Sequence, residues 1–228
     1  MPLLLTYESP IMGIREITEP WQEMLESFKH NDHYSGELNK IQSDKRKQEW
    51  LAVRLLLRHL SGPDVYIDYH ENGTPFLKGS SLHISISHTK GYAAIILSEN
   101  ENPGIDIEYR SERAWKLRKK YLSDKESGVF LSLSSYADLN NQNHIERDAG
   151  IKHKPNHADV ATLFWCAKET AFKALQQAEV DFIEHLHILP FVLSDEGFMT
   201  LKETKTPRRQ TFIINYKIAD NYIITWKA

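Results

Sequence analysis

A single cysteine, Cys166, is all that 228 residues contain. That excludes an intramolecular disulfide framework and any zinc cluster needing several thiolates, and it fits a reducing compartment. Long apolar runs are missing too. Ala93 to Leu97 is far short of the roughly 20 residues needed to cross a bilayer. The three leucines near the start lack a positive flank and soon reach Glu8 and Pro10, so no signal peptide is expected. Nor is there an excess of charge: 28 basic residues face 31 acidic ones for a formal net of -3, and no global field recruits nucleic acid or an anionic membrane. There is no Walker loop, no Gly-x-Gly-x-x-Gly fingerprint and no run of heptads, which sets aside P-loop and Rossmann readings. What is there, 41% hydrophobic residues in a chain of this length, buries a substantial core and stands between one large domain and two small ones. The expectation is a globular, cytoplasmic monomer.

Periodicity suggests two α+β halves, residues 1–102 and 103–228. In the first, Thr18 is expected to cap a helix carrying Trp21, Met24, Leu25 and Phe28. A stronger helix runs from about Ser43 through Trp50, Val53, Leu57 and Leu60 to a stop at Gly62-Pro63. A meander follows: Val65 to Tyr69, a turn at Asn72-Gly73, then Leu82 to Ser87 and Tyr92 to Leu97. In the second half, a strand from Gly104 to Tyr109 leads to a helix near Ser111 to Tyr121 and a long helix near Asp159 to Gln177. Strands near Glu184 to Leu193, Gln210 to Ala219 and Tyr222 to Trp226 close the chain. Residues 131–158, rich in Ser, Asn, Asp and His, are expected to form a long polar loop.

Two constellations carry chemistry. In Gly104-Ile105-Asp106-Ile107-Glu108, strand alternation puts both isoleucines on one face and both carboxylates on the other. Two hard oxygen donors thereby converge, half of what Mg²⁺ needs beside substrate phosphates. A strand with one solvated face has the same pattern. In Trp165 to Lys173, an advance of 100° per residue puts Phe164, Ala167, Ala171, Ala174 and Leu175 on one stripe, with Glu169 and Lys173 nearly opposite. The latter are also an ordinary helix-stabilising i, i+4 pair. A third carboxylate with lysines would complete the charge neutralisation that a magnesium-bound diphosphate requires.

A third segment, Ser85-Ile86-Ser87-His88-Thr89-Lys90-Gly91, sits where a strand enters a turn, a place able to face a phosphate or simply to cap the turn. No nucleophile elbow surrounds Ser87, so the Ser-His pair does not make a hydrolase. Pro155 between His153 and His157 argues against their alignment as metal ligands. His185 and His187 could share a strand face, with no third ligand evident.

Taken together and in this order, these segments resemble the 4'-phosphopantetheinyl transferases of the larger, Sfp-like type. Gly104-x-Asp106-x-Glu108 is similar to the family's magnesium motif, and Trp165-x-x-Lys168-Glu169-x-x-x-Lys173 to its second signature. Ser85 to Thr89 resembles its Ser-His segment, Asn72-Gly73-Thr74-Pro75 its Gly-Lys-Pro turn, and Trp50-Leu51-Ala52-x-Arg54 its arginine helix. The resemblance runs from about Trp50 to Leu175.

It implies a pseudo-twofold pair of α+β halves, antiparallel sheets packed with helices, with coenzyme A as co-substrate in the cleft between them. It also implies transfer of phosphopantetheine to a serine of an acidic acyl or peptidyl carrier protein. Asp106, Glu108 and Glu169 would hold Mg²⁺, with Mn²⁺ open as a substitute. Glu169 and Lys173 would be catalytic, the first accepting the serine proton. Arg54, Thr74, Ser87, His88, Lys168 and Lys173 would line the coenzyme. Thr74 stands where the family often has a lysine, whose charge Lys78 or Lys45 would then supply. Pro103 and Thr170 are further departures. Between Arg110 and Lys125, seven basic residues face only Glu112 and Asp124; with the loop at 131–158, they would steer an acidic carrier. Another magnesium-dependent diphosphate enzyme, or a non-catalytic relative that binds carrier or coenzyme, is the alternative.

Overall fold

The computed structural model describes residues 3–8, 10–28, 32–142 and 155–228. Two compact units emerge, Met1–Pro103 together with Ala228, and Gly104–Lys227. Both are antiparallel sheets packed with helices, so the α+β class holds. The pseudo-twofold relation does not follow from strand order, which differs between the two sheets.

In the first unit, β1 (Leu3–Glu8), β2 (Ile11–Glu16), β5 (His83–Thr89) and β6 (Tyr92–Ser98) form a sheet in the order β1-β2-β6-β5. The helices are α1 (Trp21–Glu26), α2 (Asp32–Lys40) and α3 (Asp44–Ser61), and β3 (Tyr66–Tyr69) and β4 (Pro75–Lys78) make a separate ribbon. Ser43 caps α3 by accepting from the Arg46 amide, which satisfies one of the first-turn donors a helix leaves open. Gly62, at φ 91°, ends it. Leu51, Leu55 and Leu56 of α3 are buried with Ala93, Ile95 and Leu97 of β6 in one core. Gly13 lets the helix approach the sheet, since a Cβ there would lie 2.9 Å from Leu56 Cδ1. Thr18 does not cap α1. The cap position is Pro20, without a side-chain bond, and the Thr18 hydroxyl donates to Glu19 instead.

The second unit is a five-stranded sheet ordered β7-β11-β10-β9-β8. Its strands are β7 (Gly104–Tyr109), β8 (Leu186–Ile188), β9 (Glu196–Glu203), β10 (Thr211–Ile218) and β11 (Tyr222–Lys227). Helix α4 (Arg113–Leu117) runs into a 3₁₀ turn, Arg118–Lys120, where one longer helix was expected. The stretch expected as a loop at 131–158 is corrected: α5 (Asp124–Gln142) continues through its first part and α6 (His157–Leu175) begins in its last, while 143–154 lie outside the described residues. The strand expected from Glu184 is a short helix, α7 (Phe182–His185), followed by β8. Among the described residues no helix is long and apolar enough to cross a membrane.

Helix α6 is buried on almost every side, so Asp159, Thr162, Lys168 and Thr170 face protein rather than solvent. Its start is a capping box. The Asn156 side chain accepts from the amides of Ala158 and Asp159, and Asp159 Oδ2 accepts from the Asn156 amide at 2.8 Å. Arg110, just beyond β7, grips the same Asp159 carboxylate with two bonds of 2.7 and 2.6 Å. At the other end of β7, a Cβ on Gly104 would lie 2.3 Å from the Thr170 carbonyl oxygen. Strand and helix are thus held in register at both ends, and this is what sets the site.

Candidate active site

Along β7, Ile105 and Ile107 are buried and Asp106 is buried on the other face, with Glu108 partly open. Opposite Asp106 comes Lys173. Its ammonium donates to Asp106 Oδ1 and to the Ile105 carbonyl, each at 2.9 Å. Opposite Glu108 comes Trp165, whose indole N–H donates to Glu108 Oε1 at 3.3 Å, and whose ring lies edge-on to Tyr121, 5.3 Å between centroids. Glu169, half-buried between these two positions on α6, is pushed up to about 7. Burial is the main cause; the Asp106 and Glu108 carboxylates add to it and the Lys173 ammonium opposes them. Desolvation and like charge both disfavour the ionised form, which poises this carboxyl to exchange a proton at neutral pH. The four residues expected on one centre, Asp106, Glu108, Glu169 and Lys173, are therefore brought together.

Lys168 is not part of it, and its expected place at the coenzyme is corrected. Its ammonium is fully enclosed, donating to Glu126 Oε2 at 2.7 Å and to the carbonyls of Tyr121 and Phe182 at 2.6 and 2.9 Å. Burial lowers its proton affinity and Glu126 restores part of it. Glu126 also accepts from Ser123 and, through Oε1, from the Ile188 amide. The sequence signal for this hub was Ser123-x-x-Glu126, the spacing of a capping box.

Thr170, an apparent departure, has a physical reason. Its hydroxyl lies 2.6 Å from Thr225 Oγ1, a buried bond between α6 and β11.

In the first unit, His88 lies between two residues of α3 that sequence reasoning missed. Arg46 Nη1 is 3.0 Å from His88 Nε2, and Glu49 Oε2 is 3.5 Å from His88 Nδ1. The available signal was an i, i+3 pair of opposite charge at the start of a helix. Ser87 is buried beside His88. Arg54 is only 7% exposed. Its guanidinium stacks 3.3 Å from the Trp50 ring centroid and donates to the Trp50 carbonyl, in the packed interior rather than on an open surface. Thr74 holds its turn, its amide donating to Asn72 Oδ1 and its carbonyl accepting from His70. Of the cations expected to compensate there, Lys78 pairs with Asp68 and Lys45 lies 3.8 Å from Glu49.

The donor chemistry around Glu169 fits a hard divalent cation: three carboxylates close enough that, beside burial, Asp106 and Glu108 help to raise Glu169, a repulsion such an ion relieves. The expected three-ligand set is not preassembled. Among the described residues no group of three His, Cys, Asp or Glu side chains stands ready to hold a metal. Mg²⁺ takes only one or two carboxylates and completes its shell with water and phosphate, so the fit does not demand such a group. Glu108 also lines a groove together with Tyr109, Arg113, Leu117, Thr162 and Trp165.

The model of the 4'-phosphopantetheinyl transferase superfamily matches residues 102–227, which hold Asp106, Glu108, Glu169 and Lys173. The 4'-phosphopantetheinyl transferase AcpT of Escherichia coli K12 is 38% identical over 73 residues, 31% of this chain and 37% of its own length. The AcpT of E. coli O157:H7 matches to the same extent. The holo-[acyl-carrier-protein] synthase of Bacillus pumilus SAFR-032 is 39% identical over 70 residues, 23% of this chain and 58% of its own. The chain thus matches between 37% and 58% of the length of these relatives.

Proposed function

Because the chain belongs to the 4'-phosphopantetheinyl transferase superfamily, we propose that it transfers the 4'-phosphopantetheine arm of coenzyme A to a serine of an apo acyl or peptidyl carrier protein. The observation that carries this reading is the meeting of Asp106, Glu108, Glu169 and Lys173, with Glu169 poised near neutrality. The serine Oγ attacks the phosphorus that bears the pantetheine arm. Its proton passes to the Glu169 carboxylate, and the bond from that phosphorus to the bridging oxygen breaks, so that oxygen leaves with adenosine 3',5'-bisphosphate. Lys173, held on Asp106, stabilises the charge that develops on the leaving diphosphate oxygen, where a fixed ammonium in a half-buried site outweighs one in water. Asp106, Glu108 and Glu169 would hold Mg²⁺, which when bound neutralises the diphosphate as a Lewis acid.

The carrier serine enters by the groove beside Glu108. Lys119 and Lys120, exposed on the 3₁₀ turn two and three residues beyond the groove-lining Leu117, offer charge complementary to an acidic partner. Arg110 takes no part in such docking, being spent on Asp159.

Product analysis tests the proposal. With coenzyme A, Mg²⁺ and an apo carrier, adenosine 3',5'-bisphosphate is released only when all three are present, and replacing Lys119 and Lys120 by alanine raises the half-saturating carrier concentration but not that of coenzyme A. Release without a carrier would instead make the protein a diphosphate hydrolase.

A further inference from the structure

The groove that Glu108 shares has two helical walls, Ala114 and Leu117 of α4 on one side and Thr162 and Trp165 of α6 on the other. Tyr121, fully buried, joins them. Its hydroxyl lies 3.1 Å from the Ala114 carbonyl oxygen and 3.0 Å from that of Ala161, and with one hydrogen to give it serves both as a three-centre bond. Helix α4 needs that donor. With five residues it has no amide of its own for its last carbonyls, and the amide that follows, that of Arg118, goes to Trp115. The Tyr121 ring lies edge-on to Trp165, 5.3 Å between centroids, and the Trp165 indole N–H donates to Glu108. The Tyr121 carbonyl accepts from Lys168 at 2.6 Å, so the residue is held at its tip, its ring and its backbone. Burial raises the pKa of the phenol, and the hydroxyl therefore stays a donor at any working pH.

We propose that Tyr121 is a positioning residue for the carrier: its hydroxyl sets the distance between the two walls of the groove, and through it the fit of the carrier segment that bears the serine. This rests on the reading above, from which the occupant of the groove is taken. A hydroxyl shared between two helices holds each at a fixed distance from one point, which apolar packing, being non-directional, does not do. Removing it leaves the Ala114 carbonyl buried without that donor, a loss that α4 relieves by moving toward water and away from α6. The helix stays on the protein in doing so, because Trp115 remains stacked on Phe130 of α5, 5.7 Å between centroids. What moves with α4 is the carrier's side of the site: Arg113, Leu117 and, two residues beyond, the 3₁₀ turn with Lys119 and Lys120. Asp106, Glu169 and Lys173, on β7 and α6, stay where they are.

Tyr121→Phe tests this, since it keeps the ring on Trp165 and deletes only the hydroxyl. The probe is a fluorescein-labelled apo acyl carrier protein titrated into the full chain without coenzyme A, so that docking is read apart from transfer. The variant should bind it about tenfold more weakly, the loss of one buried hydrogen bond, and bind coenzyme A as the wild type does, whereas a general loss of structure would weaken both. Hydrogen exchange reads the spacing itself. Relative to the amides of β10, those of residues 116–122 should exchange about tenfold faster in the variant, and in the wild type the carrier should slow them. A carrier that the wild type binds but does not modify, and that the variant binds tenfold more weakly, upholds the positioning role and refutes the transfer reading. Equal carrier affinity in the two proteins overturns the role and leaves transfer intact. No binding of the carrier by the wild type overturns it as well, as does α4 exchanging no faster without the hydroxyl. Should the variant fail to fold, the wild type decides alone: slowing by the carrier at 116–122 upholds the role, and no slowing there overturns it.

Discussion

Glu169 shows how a single side chain carries the cost of the chemistry. In the unfolded chain it titrates as an ordinary glutamate, near 4.5, whereas in the fold it is pushed up to about 7 by burial and by Asp106 and Glu108. Between those two values the native state holds more protons than the unfolded one, so stability falls as pH rises through the window and the deficit is complete above it. Glu169→Gln removes the ionisation. In chelator-treated buffer the variant should therefore be more stable than wild type at pH 8, by roughly 2 kcal/mol, and about equal at pH 4, while losing activity. Equal melting temperatures at both pH values would show that Glu169 is not strained by its neighbours. This residue and its partners were legible in the sequence because strand alternation and helical advance fix which way each side chain points. Lys168, one position earlier, was not. Periodicity shows that α6 must bury something on that side, but not that the ammonium meets Glu126, which lies 42 positions away.

At the scale of elements, the placement of α6 against β7 decides the site. Gly104 is required because the Thr170 carbonyl occupies the space of a Cβ, and Arg110 with Asp159 fixes the other end. The Lys168–Glu126 pair ties α6 to α5 and, through the Ile188 amide, to β8. Breaking a buried pair leaves an uncompensated charge, so Lys168→Met and Glu126→Gln should each cost about 3–5 kcal/mol. The double variant should cost clearly less than the sum, as read by urea unfolding; strict additivity would mean that the two do not act as a pair. Strong patterns such as α3, β7 and α6 were readable from sequence. Helix α5 was not, because its serines and asparagines leave little apolar periodicity, and its packing through Phe130 and Leu133 is a tertiary matter. β1, β2 and β9 were missed because no turn or cap signal was read around them.

For the whole molecule, a formal net charge of -3 conceals local opposites: carboxylates gathered around Glu169, and exposed lysines on the 3₁₀ turn. The family match covers the second unit, residues 102–227, while the His88 cluster belongs to the first, whose role no motif there spells out as fully. The central claim is that these residues move an arm from coenzyme A onto a carrier serine. Intact-mass spectrometry of an apo carrier, incubated with the protein, coenzyme A and Mg²⁺, tests it most directly. The account predicts a gain equal to one phosphopantetheine on a serine, abolished by Glu169→Gln in a protein that remains folded. An unmodified carrier, across acyl and peptidyl types alike, or full modification by the Glu169→Gln variant, would contradict it.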